Sequence, residues 1–361
     1  MPYNSSLPYD DLPDLPPPMD IESKAVLKKC LSATRALAEL KGAGGLIPDQ
    51  SILINAIPLQ EARASSEIEN IVTTQDELFR AALNESAVKD PAIKEVLLYR
   101  TALRQGFESL KNDTLSLDII LDVCRILRNR KDLEFRSEYE SVILQNRATG
   151  SVSYTPPNGG PSLLGKLENL EAFLLETDGF DPLIRMAIAH YQFEAIHPFT
   201  DGNGRTGRIL NLLYLLHANL LEIPVLYLSR FIIQNKSDYY RFLRGVTEKG
   251  EWEAWLLYML RCIEETAHWT SNQIYAIRNL HDKTVEHCRT RIPKIYSREL
   301  IDLIFRQPYC KIAFVVDAGI AKRQTASTYL KELERIDVLT GEKIGREVIY
   351  RHPALLDLLS S

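Results

Sequence analysis

The chain of 361 residues has no CxxC pair, no unbroken apolar run of membrane length and no excess of positive charge. Its five cysteines, Cys30, Cys124, Cys262, Cys288 and Cys310, are widely spaced and odd in number. That pattern argues against a disulfide framework or structural zinc and for a reducing, cytoplasmic setting. The opening stretch "MPYNSSLPYDDLPDLPPP" carries neither a basic n-region nor an apolar h-region, so no secretory signal is expected there. The most apolar run, 209–228, is interrupted by Asn211, His217, Asn219, Glu222 and Pro224, which predicts a buried helix and a turn rather than a membrane span. A net charge of -5 supplies no global attraction to nucleic acid or acidic membranes, so any such binding needs a local basic patch.

What is present reads as an ordinary globular composition, 45% hydrophobic and 25% charged, in a chain long enough for two or three folding units. The proline-rich, acidic leader to about Asp20 is expected to be extended, a strap over the surface. From Ile21 to about Tyr99 the pattern is helical, broken at Gly44-Gly45. Helices continue to about Cys288, except that "SVILQNRATGSVSYTPPNGG", 141–160, is rich in turn and β formers and predicts a short hairpin and loop. The remainder mixes helices with a two-stranded signal near the end.

One stretch concentrates chemistry. In "HPFTDGNGRTGR", 197–208, an apolar helical pattern stops at His197-Pro198 and another begins near Arg205. The intervening Asp201-Gly202-Asn203-Gly204 turn delivers the chain into a helix N-terminus, whose amides and dipole favour phosphate oxygens. Arg205 and Arg208, three apart in the first turn, can fork onto the same anion. Asp201 supplies the carboxylate with which proteins hold phosphate-bound Mg²⁺. His197 stands at the entrance as a proton acceptor suited to neutral pH. Together these describe nucleotide phosphoryl or nucleotidyl transfer.

The same residues resemble the HPFx(D/E)GNGRxxR signature of the Fic family of protein adenylyltransferases, matched at every specified position. The resemblance implies a mainly α fold: a helical catalytic core with a β-hairpin flap over 106–288, preceded by a leader and helical region with an inhibitory helix at 1–105; the remainder, 289–361, reads by its own pattern of three helices and a small hairpin as a winged-helix-like unit. It implies His197 as general base and Asp201 as Mg²⁺ ligand. ATP is then bound by Gly202, Asn203, Gly204, Arg205, Thr206, Gly207 and Arg208, the two arginines taking the β- and γ-phosphates. A lysine in place of Gly204 marks the related Doc-type kinases, so Gly204 favours transfer of AMP to Tyr, Thr or Ser hydroxyls of target proteins, with self-modification an added outcome. Phosphocholine transfer is a family variant that the signature leaves open.

Other segments extend the resemblance. "SVSYTPP" with Val152, Ser153 and Tyr154 is similar to the flap that aligns target main chain, and "RSEYESVILQNR", 136–147, to the helix leading into it. "DYYRFLRGVTEKGEW" resembles the segment that closes over adenosine, with Tyr239 or Tyr240 stacking on the base. "SSEIEN" resembles the inhibitory (S/T)xxxE(G/N) motif at Ser65, Glu69 and Asn70. Ser65 and Glu69 share a helix face, Ile68 and Ile71 anchor the helix to the core, and Glu69 would pair with Arg208 where the γ-phosphate binds. In the last unit, Lys322, Arg323, Gln324, Thr325 and Ser327 would begin a recognition helix, with Lys343 and Arg346 in the wing. A DNA-binding regulator with a nucleotide-sensing core is therefore the competing reading, and a homodimer is left open.

Overall fold

In the computed structural model, residues 3–45, 49–85, 88–145, 150–344 and 347–360 are described. The N-terminal region forms α1 (Lys24–Gly44), α2 (Ser51–Ile68), α3 (Gln75–Ala81) and α4 (Pro91–Ser109), and α5 (Leu117–Arg128) follows. Most of these helices start on a side-chain cap: Ser23 accepts from the Val26 amide, Thr74 and Glu77 form a capping box, and Asp90 and Ser116 cap α4 and α5. A two-stranded antiparallel hairpin comes next, β1 (Leu144–Gln145) and β2 (Val152–Tyr154), with Leu144 opposite Tyr154. Residues 146–149 of the expected hairpin lie outside the described residues.

The core continues with α6 (Pro161–Leu175), α7 (Pro182–Ile196), α8 (Asn203–His217), α9 (Leu228–Gln234), α10 (Lys236–Lys249) and the 40-residue α11 (Trp252–Arg291). α7 and α8 are buried on almost every side, which is why their sequences carry no polar stripe. They pack on each other at the centre, with α4 and α5 against α8 and with α6 and α11 against α7, while α1 lies along α11.

The last unit is α12 (Arg298–Phe305), β3 (Tyr309–Lys311), α13 (Ile312–Asp317), α14 (Arg323–Arg335), β4 (Thr340–Ile344), β5 (Glu347–Arg351) and α15 (Pro353–Ser360). Its three strands form an antiparallel sheet in the order β3-β5-β4. α12, α13, α14 and the β4-β5 hairpin match the three helices and hairpin of the winged-helix expectation; the short β3 and the closing helix α15 were not foreseen. Lys322, Arg323, Gln324 and Thr325 are exposed at the start of α14, and Arg346 lies outside the described residues.

The leader is a strap, as expected, but a well-anchored one. Leu12, Leu15 and Ile21 are buried, Lys166 donates to the Leu12 carbonyl, and Gln192 donates to that of Pro13. The helix expected over 136–147 is absent from its described part, which runs extended and bent into β1. The cause is Arg136, whose guanidinium donates to the carbonyls of Glu140, Pro157, Ile196 and His197, and whose amide donates to Pro198. Those bonds hold the chain against the loop after α7, a path that a helix could not follow.

Candidate functional site

The loop between α7 and α8 is held in place from several directions. α7 ends with His197 itself in the left-handed region, φ 51°, before Pro198 forbids another turn. The Asn203 side chain donates to the Phe199 carbonyl and accepts from the Phe199 amide, both at 2.8 Å. Its side-chain amide is thus committed to closing the loop, which leaves the main-chain amide of Asn203 at the start of α8. Phe199 is fully buried and stacks on Phe135. Gly202 caps α8 at φ 89°, where a side chain would be strained and would press on Arg128.

α8 begins two residues earlier than the periodicity suggested, and its first intrahelical bond runs from the Thr206 amide to the Gly202 carbonyl. The amides of Asn203, Gly204 and Arg205 therefore precede the ladder, at the positive end of the helix. Directly above them lies the carboxylate of Glu69: a β-carbon built on Gly204 would come within 2.5 Å of its Oε1. Gly204 is thus the residue whose missing side chain makes room for that anion.

Arg208, 1% exposed, reaches back to α2 and donates from Nε to Ser65 Oγ at 2.8 Å. Its Nη2 donates to the Ser65 carbonyl and to Glu69 Oε1, each at 2.9 Å. Burial would raise the Glu69 carboxyl, but the Arg208 guanidinium outweighs it and holds the group below the usual carboxylate range. Glu69 is the C-cap of α2 and Asn70 follows at φ 66°, the left-handed position that Asn tolerates best after Gly. Ile68 is buried as expected, whereas Ile71 is only half-buried. Lys236 donates to the Ile68 carbonyl and completes the cap.

The other charged groups have partners that the sequence did not announce. Arg205, 3% exposed, pairs through Nη1 with Glu95 of α4 at 2.7 Å, so the two arginines do not converge on one carboxylate. Asp201, its side chain 60% exposed, pairs with Arg128 at 2.8 Å. Glu61 of α2 is fully buried and accepts from the Tyr99 hydroxyl and the Ser229 amide, tying α2 to α4 and α9. Burial pushes the Glu194 carboxyl up to about 7, with Arg208 opposing and Glu69 adding to the rise. That side chain lies against Gly207, where a β-carbon would meet it at 2.7 Å. Thr206 is buried in α8.

His197 opens onto a cleft of about 830 Å³ whose walls include Ile68, Glu69, Ser153, Gly204, Tyr240 and Arg244. Burial, helped by the Arg136 guanidinium, pushes its imidazole down to about 4, so the ring is a neutral base at physiological pH. Tyr240 reaches the cleft. Tyr239 does not: it is 1% exposed, hydrogen-bonded to His190 at 2.9 Å and packed on Trp255 and Tyr258, which corrects its expected role against a base. In the flap, Val152 is half-buried and Ser153 lines the cleft, while the Tyr154 hydroxyl turns inward to the Ala195 carbonyl at 2.8 Å. No group of three or more His, Cys, Asp or Glu side chains is gathered for a metal among the described residues, and no described helix is long and apolar enough to cross a membrane.

This fold is that of solved Fic proteins. A Fic family protein from Desulfovibrio desulfuricans superposes with a TM-score of 0.58 at 20% identity, over 93% of this chain and 98% of its own. A Fic-1 fragment from Caenorhabditis elegans does so with a TM-score of 0.53 at 21% identity, over 71% and 74%. Consecutive family models match residues 27–108 (Fic/DOC family N-terminal), 114–215 (Fic/DOC family) and 280–355 (protein adenylyltransferase SoFic-like, C-terminal domain). The chain belongs to the Fic/DOC family. Among curated relatives, protein adenylyltransferase Fic of Nematostella vectensis is 30% identical over 53% of this chain and 43% of its own length. Protein adenylyltransferase fic-1 of Caenorhabditis briggsae is 37% identical over 40% and 29%. The chain thus spans less than half the length of these relatives.

Proposed function

We propose that this protein is an autoinhibited protein adenylyltransferase, transferring AMP from ATP to hydroxyls of target proteins. The observation that carries the reading is the Glu69 carboxylate seated over Gly204 at the start of α8 and paired with Arg208. An anion already occupies the place that helix dipole, amides and guanidinium make attractive, so the natural competitor is a phosphate. The names of the relatives support AMP as the group transferred.

On this reading the target hydroxyl attacks the α-phosphorus while neutral His197 takes its proton, and pyrophosphate departs. Arg208, released by Glu69, stabilises the leaving charge, and Arg205 contributes once Glu95 yields. Asp201, largely exposed, would exchange its Arg128 partner for Mg²⁺, with phosphate oxygens completing the shell and the cation supplying further charge neutralisation. Ser153 and the adjoining main chain of β2 guide the target, and Tyr240 offers the aromatic face toward the adenine. The free, buried cysteines support a reducing cytoplasm. The test is incubation of the Glu69→Gly variant with Mg·ATP and cell lysate, followed by peptide mapping for AMP on Tyr, Thr or Ser. Absence of AMP-modified peptides under conditions where ATP binds would overturn the reading.

A second role, DNA contact through the last unit, is favoured by the exposed Lys322, Arg323, Gln324 and Thr325 at the start of α14. Salt-dependent retention of the full chain on duplex DNA, lost in Lys322→Ala/Arg323→Ala, tests it.

A further inference from the structure

The leader is fastened to the flap, and this brings one of its tyrosines into the cleft. The Tyr9 amide donates to the Thr155 carbonyl at 3.1 Å, and Thr155 Oγ1 donates to the Ser5 carbonyl at 2.7 Å, directly beyond β2. Asp10 accepts from both the amide and the side chain of Asn158, each at 2.8 Å. The strap thus lies on the flap main chain, where an incoming polypeptide would be aligned. At its near end, Tyr3 lines the same cleft as His197, Glu69 and Gly204. Its ring stacks on Tyr154 at 6.3 Å and meets Tyr9 edge-on at 5.3 Å. Tyr154 in turn is bonded to the Ala195 carbonyl, two residues before His197.

Of the three other tyrosines of the cleft, Tyr154 donates to Ala195, Tyr191 bonds Thr247 at 2.9 Å, and Tyr240 is the one set toward the adenine in the reading above. Among the described residues, no hydrogen bond engages the Tyr3 hydroxyl. Burial, with Glu248 adding to it, pushes that phenol up to about 12, so it enters any reaction protonated and needs a base.

We propose that Tyr3 is the acceptor when this protein modifies itself, presented to the site by its own leader strap. The proposal rests on the AMP-transfer reading above. In the step, Tyr3 Oη forms a bond to the α-phosphorus of ATP, the bond from that phosphorus to the bridging oxygen breaks, and pyrophosphate leaves. The phenolic proton passes to the His197 imidazole. Because strap and site belong to one chain, the acceptor is held at a high effective concentration and modification is intramolecular.

The experiment uses the full-length Glu69→Gly chain with Mg·ATP, mapping AMP by peptide mass spectrometry across a range of protein concentrations. AMP is expected on Tyr3, at a rate per molecule independent of protein concentration. Tyr3→Phe in the same background keeps the ring contacts and loses most of the self-label, while still modifying lysate proteins. AMP on other residues with Tyr3 bare, or a rate that rises with protein concentration, overturns the proposal and leaves AMP transfer standing. No AMP on the chain or on lysate proteins sinks both.

Discussion

Replacing Glu69 by Gly removes the anion over α8, and the structure sets the scale of the effect. Unit charges about 4 Å apart at an effective dielectric near 20 attract by about 4 kcal/mol. The Glu69 side chain is 36% exposed, however, and solvent screening reduces this to roughly 1–3 kcal/mol. Against it stands the carboxylate's position at the negative end of α2, a cost of about 0.3–1 kcal/mol that the Lys236 contact partly relieves. The attraction wins, leaving about 1–2 kcal/mol that a γ-phosphate must overcome to claim Arg208, or roughly 5- to 30-fold in the competent population. Arg208 keeps its two bonds to Ser65 in the variant, so the fold survives with a lower Tm. Two assays read the outcome. AMP transfer by Glu69→Gly should rise by roughly 5- to 30-fold, and Mg·ATP should raise its Tm more than it raises that of the wild type. Equal transfer rates, or equal thermal shifts, would refute the displacement argument.

Three further outcomes follow from the same geometry. His197→Ala should lower transfer by about 10²–10⁴ in rate while calorimetry shows ATP binding largely retained, since the ring acts on the hydroxyl rather than the phosphates. Arg205→Ala should weaken ATP binding by calorimetry; unchanged affinity would make the Glu95 pair purely structural. Stability should fall as pH drops from about 6.5 toward 4. Burial holds His190 at about 3 and His197 and His352 at about 4, so the unfolded chain takes up three protons that the folded chain refuses. The buried Glu194 and Glu61 carboxyls are raised and act in the opposite sense, but they are outnumbered. A denaturation midpoint that is flat or rising on acidification through that window would contradict this.

The parts legible in the sequence were those built by neighbours along the chain. α7 and α8, the turn between them, the C-terminal end of α2 and the hairpin of the last unit all carry local signals: a periodicity, a glycine turn, a proline stop. Asn70 is an instance, since its place in the motif is simply the left-handed residue that ends α2. What was not legible was set by packing between distant segments. Glu95 meets Arg205 across 110 residues, Ser229 meets Glu61 across 168, and Arg136 replaces an expected helix with a brace on the His197 carbonyl 61 residues away. Tyr239 and Tyr240 are adjacent aromatics that no pattern separates; only the packing of α10 on α11 sends the first into the core and leaves the second in the cleft. The strand β3 is three residues long and exists because β5 supplies its partner.

Labelling with two forms of ATP separates AMP transfer held off by Glu69 from every alternative. Purified Glu69→Gly is incubated with Mg²⁺ and ATP carrying the label either on the α- or on the γ-phosphate, beside wild type and the Glu69→Gly/His197→Ala double variant. Protein-bound label is expected from the α-position only, strong in Glu69→Gly, weak in wild type and lost in the double variant. Label retained from the γ-position, or α-label of equal strength in all three proteins, would contradict it.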